Sequence, residues 1–205
     1  RGTSGDVAAF AERLAPLGTR AEMLVVQLPA TFGPSDLDAL GTALAACPPG
    51  HRWAVEVRHP AFFGGGPAER ALTRLLERHT AEWVTFDTTT LFAAPPTSDA
   101  EREAWADKPR LARRVVALGD RPAVRFLGRD DPEATAAGWQ AWVPEVVAWL
   151  ADGRAPTVFV HTPDNVDAPL LARRFHDDVR VAAAAAGITV DPLPTPVANH
   201  PTTLF

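Results

Sequence analysis

The densest group of chemically versatile side chains is the segment EVRH at residues 56–59. It closes an apolar run, and alternate side chains of an extended strand share a face, so Glu56 and Arg58 should lie side by side. A carboxylate beside a guanidinium can serve as a general acid or base next to a clamp for an anion. The alternative is a buried ion pair that only stabilises the fold. His59 follows in a segment that Pro60 keeps extended.

Four further apolar runs also end in polar residues. These are Gln27, Asp87, Arg125 followed by Arg129, and the segment from His161 to Asn165. Asp87 could orient a base, bind a metal ion or only cap the turn after it. Of the two arginines, one is expected to face a pocket and the other to be a solvated loop residue. His161 taken alone is more typical of a hydrogen-bonded structural histidine than of a ligand.

Lysine is nearly absent from the chain. Lys108 is the single lysine among 20 lysine and arginine residues. An ammonium is a compact point charge whose pKa can fall on burial, so a guanidinium does not always replace it. Lys108 is therefore either a binding residue or a lysine that is present by chance in an arginine-rich composition. Because it lies in a predicted loop, it could also close over a bound substrate.

Several chemistries lack their usual sequence motifs. No G-x-S-x-G, C-x-x-C or H-E-x-x-H motif occurs, and tyrosine is absent. Cys47 follows a predicted helix, which places it near the edge of the sheet opposite the expected site. A metal site could be assembled from Glu56, His59, Asp87 and His161. No local spacing requires one, however, and the sequence identifies no cofactor.

The overall composition is that of a soluble globular protein. The 205 residues carry a formal net charge of −5, and no apolar stretch reaches the ~18 residues that a membrane span needs. The negative charge argues against strong nucleic-acid binding through bulk positive charge. A single cysteine excludes an intrachain disulfide. We therefore expect a cytoplasmic protein with a small-molecule ligand and no membrane partner.

Strands and helices alternate along most of the chain. The expected strands are 23–28, 53–57, 83–87, 123–127 and 157–161, with a short one at 188–190. The expected helices are 6–17, 36–46, 68–79, 133–151 with a break at Pro144, and 168–186. Asp6 and Ser35 are expected N-caps, and Gly187 is an expected C-cap. Residues 88–114 are expected to be irregular.

This alternation predicts a parallel α/β fold with right-handed crossovers. A doubly wound nucleotide-binding sheet would carry G-x-G-x-x-G after its first strand, and no predicted strand is followed by that motif. A TIM-barrel-like arrangement of β/α repeats is therefore favoured. In such a barrel the carboxyl ends of the strands meet at one rim, where active sites lie.

Five segments occur in an order that has a known counterpart. They are 25–29 (VVQLP) with Phe32, 54–60 (AVEVRHP) with Phe62, 105–110 (WADKPR), 124–129 (VRFLGR) and 203–205 (TLF). Together they resemble the domain-of-unknown-function 72 family, also called YecE-like, which implies a TIM barrel with no established reaction. The matching family segments are E-x-R-H for Glu56, Arg58 and His59, K-x-R for Lys108 and Arg110, and R-F-H-G-R for Arg125, Gly128 and Arg129.

The chain departs from this family pattern in several places. Leu127 stands where the family usually has histidine, and 160–165 (VHTPDN) matches an F-N-N segment only loosely. The segment GTSG at 2–5 is similar to the family's opening, but no apolar strand precedes it. The resemblance thus implies about five of eight β/α units, in one domain over 1–205 that corresponds to the C-terminal part of the family fold.

Five strands would leave an exposed edge on each side of the sheet, a liability that proteins normally cover. We expect one of two explanations for this incomplete barrel. Either the chain is an N-terminally truncated product, or the gap is filled by a partner, by self-association or by a rearranged sheet.

The leading functional hypothesis is an enzyme that applies acid–base chemistry to a small anionic or polyhydroxylated substrate, such as a phosphate or sugar derivative. Its catalytic candidates are Glu56, Asp87 and His59. Its substrate-binding candidates are Gln27, Arg58, Lys108, Arg110, Arg125, Arg129 and Asn165. Two alternatives are a metal-dependent phosphodiesterase or endonuclease, by analogy with other barrels, and a non-catalytic ligand-binding module at the same rim.

Overall fold

The computed structural model describes residues 4–195 and contains a five-stranded parallel sheet. The strands are β1 (Leu24–Gln27), β2 (Trp53–Glu56), β3 (Glu82–Asp87), β4 (Ala123–Leu127) and β5 (Thr157–His161). Each strand pairs with the next one along the chain, in the order β1-β2-β3-β4-β5. The sheet curls into a half-barrel, which confirms the predicted incomplete TIM-barrel-like α/β fold. The motif at 203–205 and residues 2 and 3 of the opening segment lie outside the described residues.

Seven α-helices occur within residues 4–195. They are α1 (Ser4–Leu14), α2 (Leu37–Ala45), α3 (Pro67–Arg78), α4 (Asp99–Asp107), α5 (Pro132–Trp139), α6 (Val143–Ala151) and α7 (Ala168–Ala185). The predicted break near Pro144 is confirmed, since α5 ends before it and Pro144 lies in the first turn of α6. Pro144 fits there because the first turn of a helix needs no donor from its nitrogen.

The end of α7 is also as predicted. Gly187 adopts a φ of 76°, in the left-handed region that glycine enters without steric cost. Its N–H bonds to the carbonyl of Ala184, and the N–H of Ile188 bonds to that of Ala183, which is the Schellman pattern. Ile188 is thus part of the helix cap. The predicted short strand at 188–190 is wrong.

Three other sequence expectations are corrected. Residues 88–114 are not wholly irregular, because they contain α4, whose N-cap Ser98 accepts a bond from the N–H of Glu101. Ser35 does not cap α2; it lies within a 3-10 turn, and Asp36 accepts the N–H of Gly33 at 2.8 Å instead. Asp6 lies in the first turn of α1, because that helix begins at Ser4.

The two faces of the sheet differ in packing. The outer face packs on helices, as where the Phe126 ring lies 6.3 Å from that of Trp139 in α5. The inner, concave face has a small buried core of Ala54, Val84 and Ala123. On the edge strands, Val25 and Phe159 point to the same inner face and are each 39% exposed. The polar residues at the carboxyl ends of the strands lie above this inner core.

Candidate ligand-binding site

The register of the sheet brings four strand-end side chains to the inner face. Gln27 pairs with Glu56 across β1 and β2, and Phe86 pairs with Arg125 across β3 and β4. Paired residues of adjacent strands point to the same side of a sheet. The expectation that the strand ends meet at one edge is therefore confirmed for these residues.

Glu56 is the centre of this cluster, and its side chain is only 2% exposed. One carboxylate oxygen accepts Nε of Arg58 at 2.8 Å, and the other accepts Nη1 of Arg125 at 3.2 Å. The same Nη1 also donates to Oε1 of Gln27 at 2.8 Å. The predicted Glu56–Arg58 pair is present, and it extends to a second arginine. Charge-assisted bonds of this kind hold both guanidinium groups in place.

Phe86 provides an aromatic surface for both arginines. The guanidinium carbon of Arg58 lies 5.0 Å from the ring centroid, and that of Arg125 lies 5.4 Å from it. Both distances fall within the range of cation–π attraction. Arg125 is thus fixed through one nitrogen and through the plane of its guanidinium.

The remaining donors of Arg125 are unused. Its Nε is buried and has no hydrogen-bond partner among the described residues, and its Nη2 makes no bond there either. A buried donor without a partner costs about 1–3 kcal/mol, so such groups call for an explanation. Nη2 is not buried in this way, and a bound anion would supply its missing acceptor.

Arg125 borders a cavity of about 190 Å³ between α4 and the ends of β4 and β5. The sheet side is formed by Phe86, Arg125, Leu127 and His161. The helix side is formed by Ala100, Glu103, Ala104 and Asp107, with Lys108 directly after the helix. The turn after β5 closes the third side with Thr162, Pro163 and Asn165. Arg125 and His161 also line an open groove on the inner face of the sheet.

Histidine is the side-chain type whose ordinary pKa lies closest to neutral pH, and His161 is the histidine among the residues that line this cavity. Its pKa lies below the ordinary value, first because burial disfavours the charged ring and second because Arg125 is positively charged. Nδ1 lies 3.0 Å from Oδ1 of Asn165. Asn165 adopts a φ of 59°, a conformation that asparagine tolerates better than most residues. When Nδ1 donates to Asn165, Nε2 of the neutral ring carries the lone pair.

Lys108 and Arg110 lie differently. Lys108 lines the cavity, with Nζ 4.0 Å from a carboxylate oxygen of Asp107. Arg110 is exposed, and its guanidinium carbon lies 4.7 Å from the ring centroids of both Phe92 and Trp105. Of the two positions in the K-x-R segment, only Lys108 is brought to the cavity.

Arg129 is buried in a separate ion pair. Its Nε donates to Glu101 at 3.0 Å, and its Nη2 donates both to Glu101 at 2.7 Å and to the carbonyl of Pro95 at 2.8 Å. The expectation that one of the two arginines would be a solvated loop residue is wrong. These hydrogen bonds lower the pKa of Glu101 to about 2, against the opposing effect of burial.

Asp87 and His59 are not brought to the Glu56 cluster. Asp87 points to the outer face, where it accepts Nε1 of Trp142 at 2.6 Å and both the N–H and the hydroxyl of Thr89 at 2.8 and 2.7 Å. These bonds agree with the turn-capping alternative. His59 accepts the N–H of Ala61 through Nδ1 at 3.2 Å and caps a 3-10 turn.

Within residues 4–195, no group of three or more histidine, cysteine, aspartate or glutamate side chains is placed to hold a metal ion. The four residues considered for such a site on sequence grounds lie in four different hydrogen-bond networks. None of the helices in the described part of the chain combines the length and the apolar character that a membrane crossing requires.

Comparison with known proteins agrees with the motifs at the strand ends. The model of the family described as "Protein of unknown function DUF72" matches residues 1–197. The chain belongs to this family. The proteins named "UPF0759 protein YecE" from Escherichia coli O157:H7 and from strain K12 are each 37% identical to it over 174 residues. The match covers 85% of the chain and 64% of each relative. No solved structure is significantly similar to the chain.

Some residues of this candidate site were not identified from the sequence. The sequence placed Phe86 in a strand but gave it no role in the site. Phe86 pairs with Arg125 across the sheet, so the two side chains share a face, and this could have placed the ring beneath the guanidinium groups. Glu103 and Asp107 lie on a helix that was not predicted. The hydrogen bond between His161 and Asn165 could have been expected from the sequence, because the two residues are four positions apart across a turn. Nothing in the local sequence indicated that Glu101 would be buried against Arg129.

Proposed function

We propose that the cavity binds a small anionic compound, such as a phosphate or sugar-phosphate derivative, and that the protein acts on it by acid–base chemistry. The observation that carries this proposal is Arg125. One of its nitrogens is anchored by Glu56 and Gln27, while Nε and Nη2 have no partner among the described residues. An arginine held in this way is a preorganised receptor for an anion.

Each neighbouring residue then has a role. Arg125 and Lys108 bind the anionic group, while Glu56 orients Arg125 and Arg58 rather than meeting the substrate itself. The pair of arginines carries one positive charge more than Glu56 neutralises, and Lys108 adds another. Glu103 and Asp107 on the facing wall offset this charge over the cavity as a whole, so an anion is attracted to the immediate neighbourhood of Arg125.

His161 is the group best suited to move a proton. Its lowered pKa leaves the ring neutral at pH 7, and its bond to Asn165 leaves Nε2 able to accept a proton. The protonated ring would then stand beside Arg125, whose positive charge favours return of the proton to the substrate. His161 therefore takes the role that sequence reasoning assigned to Glu56 and Asp87.

The binding step is tested by thermal unfolding in the presence of inorganic phosphate and a set of sugar phosphates. We expect ligand-dependent stabilisation in the wild type and its loss in Arg125→Met. Arg180→Met, which removes the same charge from the exposed face of α7, serves as the matched control and should keep the response. Stabilisation that persists in Arg125→Met would contradict the proposed site.

The chemical step is tested with any compound that binds. Turnover should be lost in His161→Gln, while the affinity for the ligand changes little, because Arg125 and Lys108 are still present. A compound that binds in an Arg125-dependent manner and is turned over equally well by His161→Gln would contradict the role of His161.

A further inference from the structure

We propose that the ligand carries a protonated amine at the end opposite its anionic group, so that the cavity recognises a small compound with one negative and one positive end. This inference rests on the proposed function, in which Arg125 binds the anionic group. It follows from the charges on the facing wall of the cavity.

One face of α4 forms that wall. Ala100, Glu103, Ala104 and Asp107 recur at the three- and four-residue spacing that places side chains on one side of a helix, and all four border the cavity. Two carboxylates therefore stand on the helix side, and Arg125 stands on the sheet side. Lys108 follows directly after the helix on the same side, so the helix side carries a net charge of −1 and faces the positively charged Arg125.

The two carboxylates are available to a ligand. Among the described residues Glu103 takes part in no ion pair or hydrogen bond, and the nearest cation to Asp107 is Lys108, at 4.0 Å. A second anionic group on the ligand would face these carboxylates and be repelled. A protonated amine in the same place would form charge-assisted bonds with them.

The acidic wall is held in position by the buried part of α4. Glu101 lies on another side of the helix and forms its paired bonds to Arg129, while Ser98 caps the first turn. The carboxylates are therefore presented by an anchored helix rather than by a loose loop. Anchoring of this kind reduces the cost of ordering the site when a ligand binds.

The size of the cavity limits the ligand. About 190 Å³ is less than the roughly 300–1,000 Å³ of sites for drug-sized compounds. The other two wall residues of the helix are the small Ala100 and Ala104, which leave this room. The volume therefore limits the ligand to a small compound, such as one with an anionic group and an amine two or three bonds apart.

The test compares 2-aminoethylphosphonate with ethylphosphonate by calorimetric titration at about pH 9, where both phosphonate groups are dianions and the amine is still protonated, so that only the amine differs. We expect the amine to bind at least about tenfold more tightly in the wild type, as one or two charge-assisted bonds would produce. In the double variant Glu103→Gln, Asp107→Asn this preference should fall to about twofold or less. Asp99→Asn, on the same helix but away from the cavity, is the control and should retain it.

The outcomes separate this inference from the proposed function. Equal binding of both phosphonates, lost in Arg125→Met, overturns the recognition of an amine and leaves the anion site standing. A preference for the amine that survives in the double variant also overturns it. Absence of binding by both phosphonates and by inorganic phosphate overturns the anion site, and the inference with it.

Discussion

Two arginines at the end of β4, Arg125 and Arg129, each bond to a glutamate, yet their surroundings are opposite. Arg129 uses Nε and Nη2 for Glu101 and Pro95, and its side chain is 9% exposed. Arg125 uses a single nitrogen for Glu56 and Gln27, and its side chain is 27% exposed beside a cavity. Both occur in the motif shared with the family, so the motif alone does not distinguish them.

This difference shows how an arginine in a structural ion pair can be distinguished from an arginine that binds a ligand. Nε and Nη2 of Arg129 are both satisfied within the protein, so the pair fixes the position of α4. Arg125 is fixed just as firmly through one nitrogen, but donors remain that no described residue accepts. The number of unused donors on an anchored side chain is therefore more informative than its charge or its burial.

The largest effect is expected for Glu101→Gln. It leaves Arg129 buried without a counter-charge, and removal of one partner from a buried pair costs about 3–5 kcal/mol of the free energy of unfolding. Urea denaturation would measure the loss. Glu103→Gln, two residues away on the exposed side of the same helix, should change stability by less than about 0.5 kcal/mol. Similar values for the two variants would show that the Arg129 pair is not structural.

Lowering the pH should remove the stabilisation that the Glu101–Arg129 ion pair gives to the fold. The folded protein holds the pKa of Glu101 at about 2, below its ordinary value of 4.5, so the pair stabilises the fold above pH 4.5. This stability is lost as the pH falls towards 2, and amounts to about 3 kcal/mol in total. The difference in free energy of unfolding between wild type and Glu101→Gln should therefore shrink by about 2 kcal/mol between pH 6 and pH 3. A difference that is equal at both pH values would refute this assignment.

Glu56→Gln should be milder than Glu101→Gln, although Glu56 has two arginine partners. The side chains of Arg58 and Arg125 are 17% and 27% exposed, so water can replace some of the hydrogen bonds that the Glu56 carboxylate accepts from them. We expect a loss of about 1–2 kcal/mol in the free energy of unfolding. Urea denaturation under the same conditions makes the comparison direct. A loss of stability as large as that of Glu101→Gln would mean that the Glu56 cluster stabilises the fold as much as the Glu101–Arg129 pair does.

The smallest effect concerns His161. Because the positive charge of Arg125 is one cause of its lowered pKa, after burial, Arg125→Met should raise that pKa towards the ordinary value of 6.5. The chemical shift of the His161 ring followed by NMR against pH would measure it. Arg180→Met should leave the midpoint where it is in the wild type. An unchanged midpoint in Arg125→Met would place the two side chains in separate environments.

Much of the framework is readable from the sequence because it depends on local patterns. Apolar runs bounded by turn residues located all five strands, and two-residue alternation paired Glu56 with Arg58. Alternation within one strand does not, however, show which of the two sets of alternate side chains faces the inside of the barrel. Asp87 was therefore grouped with the site, whereas its neighbour Phe86 is the residue that faces it.

The site's other wall escaped prediction for a different physical reason. The segment DAEREAWAD of α4 covers a cavity and an ion pair rather than a hydrophobic core, so it lacks a broad apolar face. Helical periodicity in apolar residues therefore could not reveal it. The Glu101–Arg129 pair joins residues 28 positions apart, and their contact depends on the completed fold.

The order of the strands has a consequence for how the chain reaches this structure. Each strand pairs only with its neighbour in sequence, through a connection that contains at least one helix. Among these five strands no pairing has to wait for a distant part of the chain, so this part of the sheet can grow from β1 to β5 in the direction in which a ribosome releases it. Gln27, Glu56 and Arg125 would then join in that order, and the anion receptor would form only when the fourth strand docks.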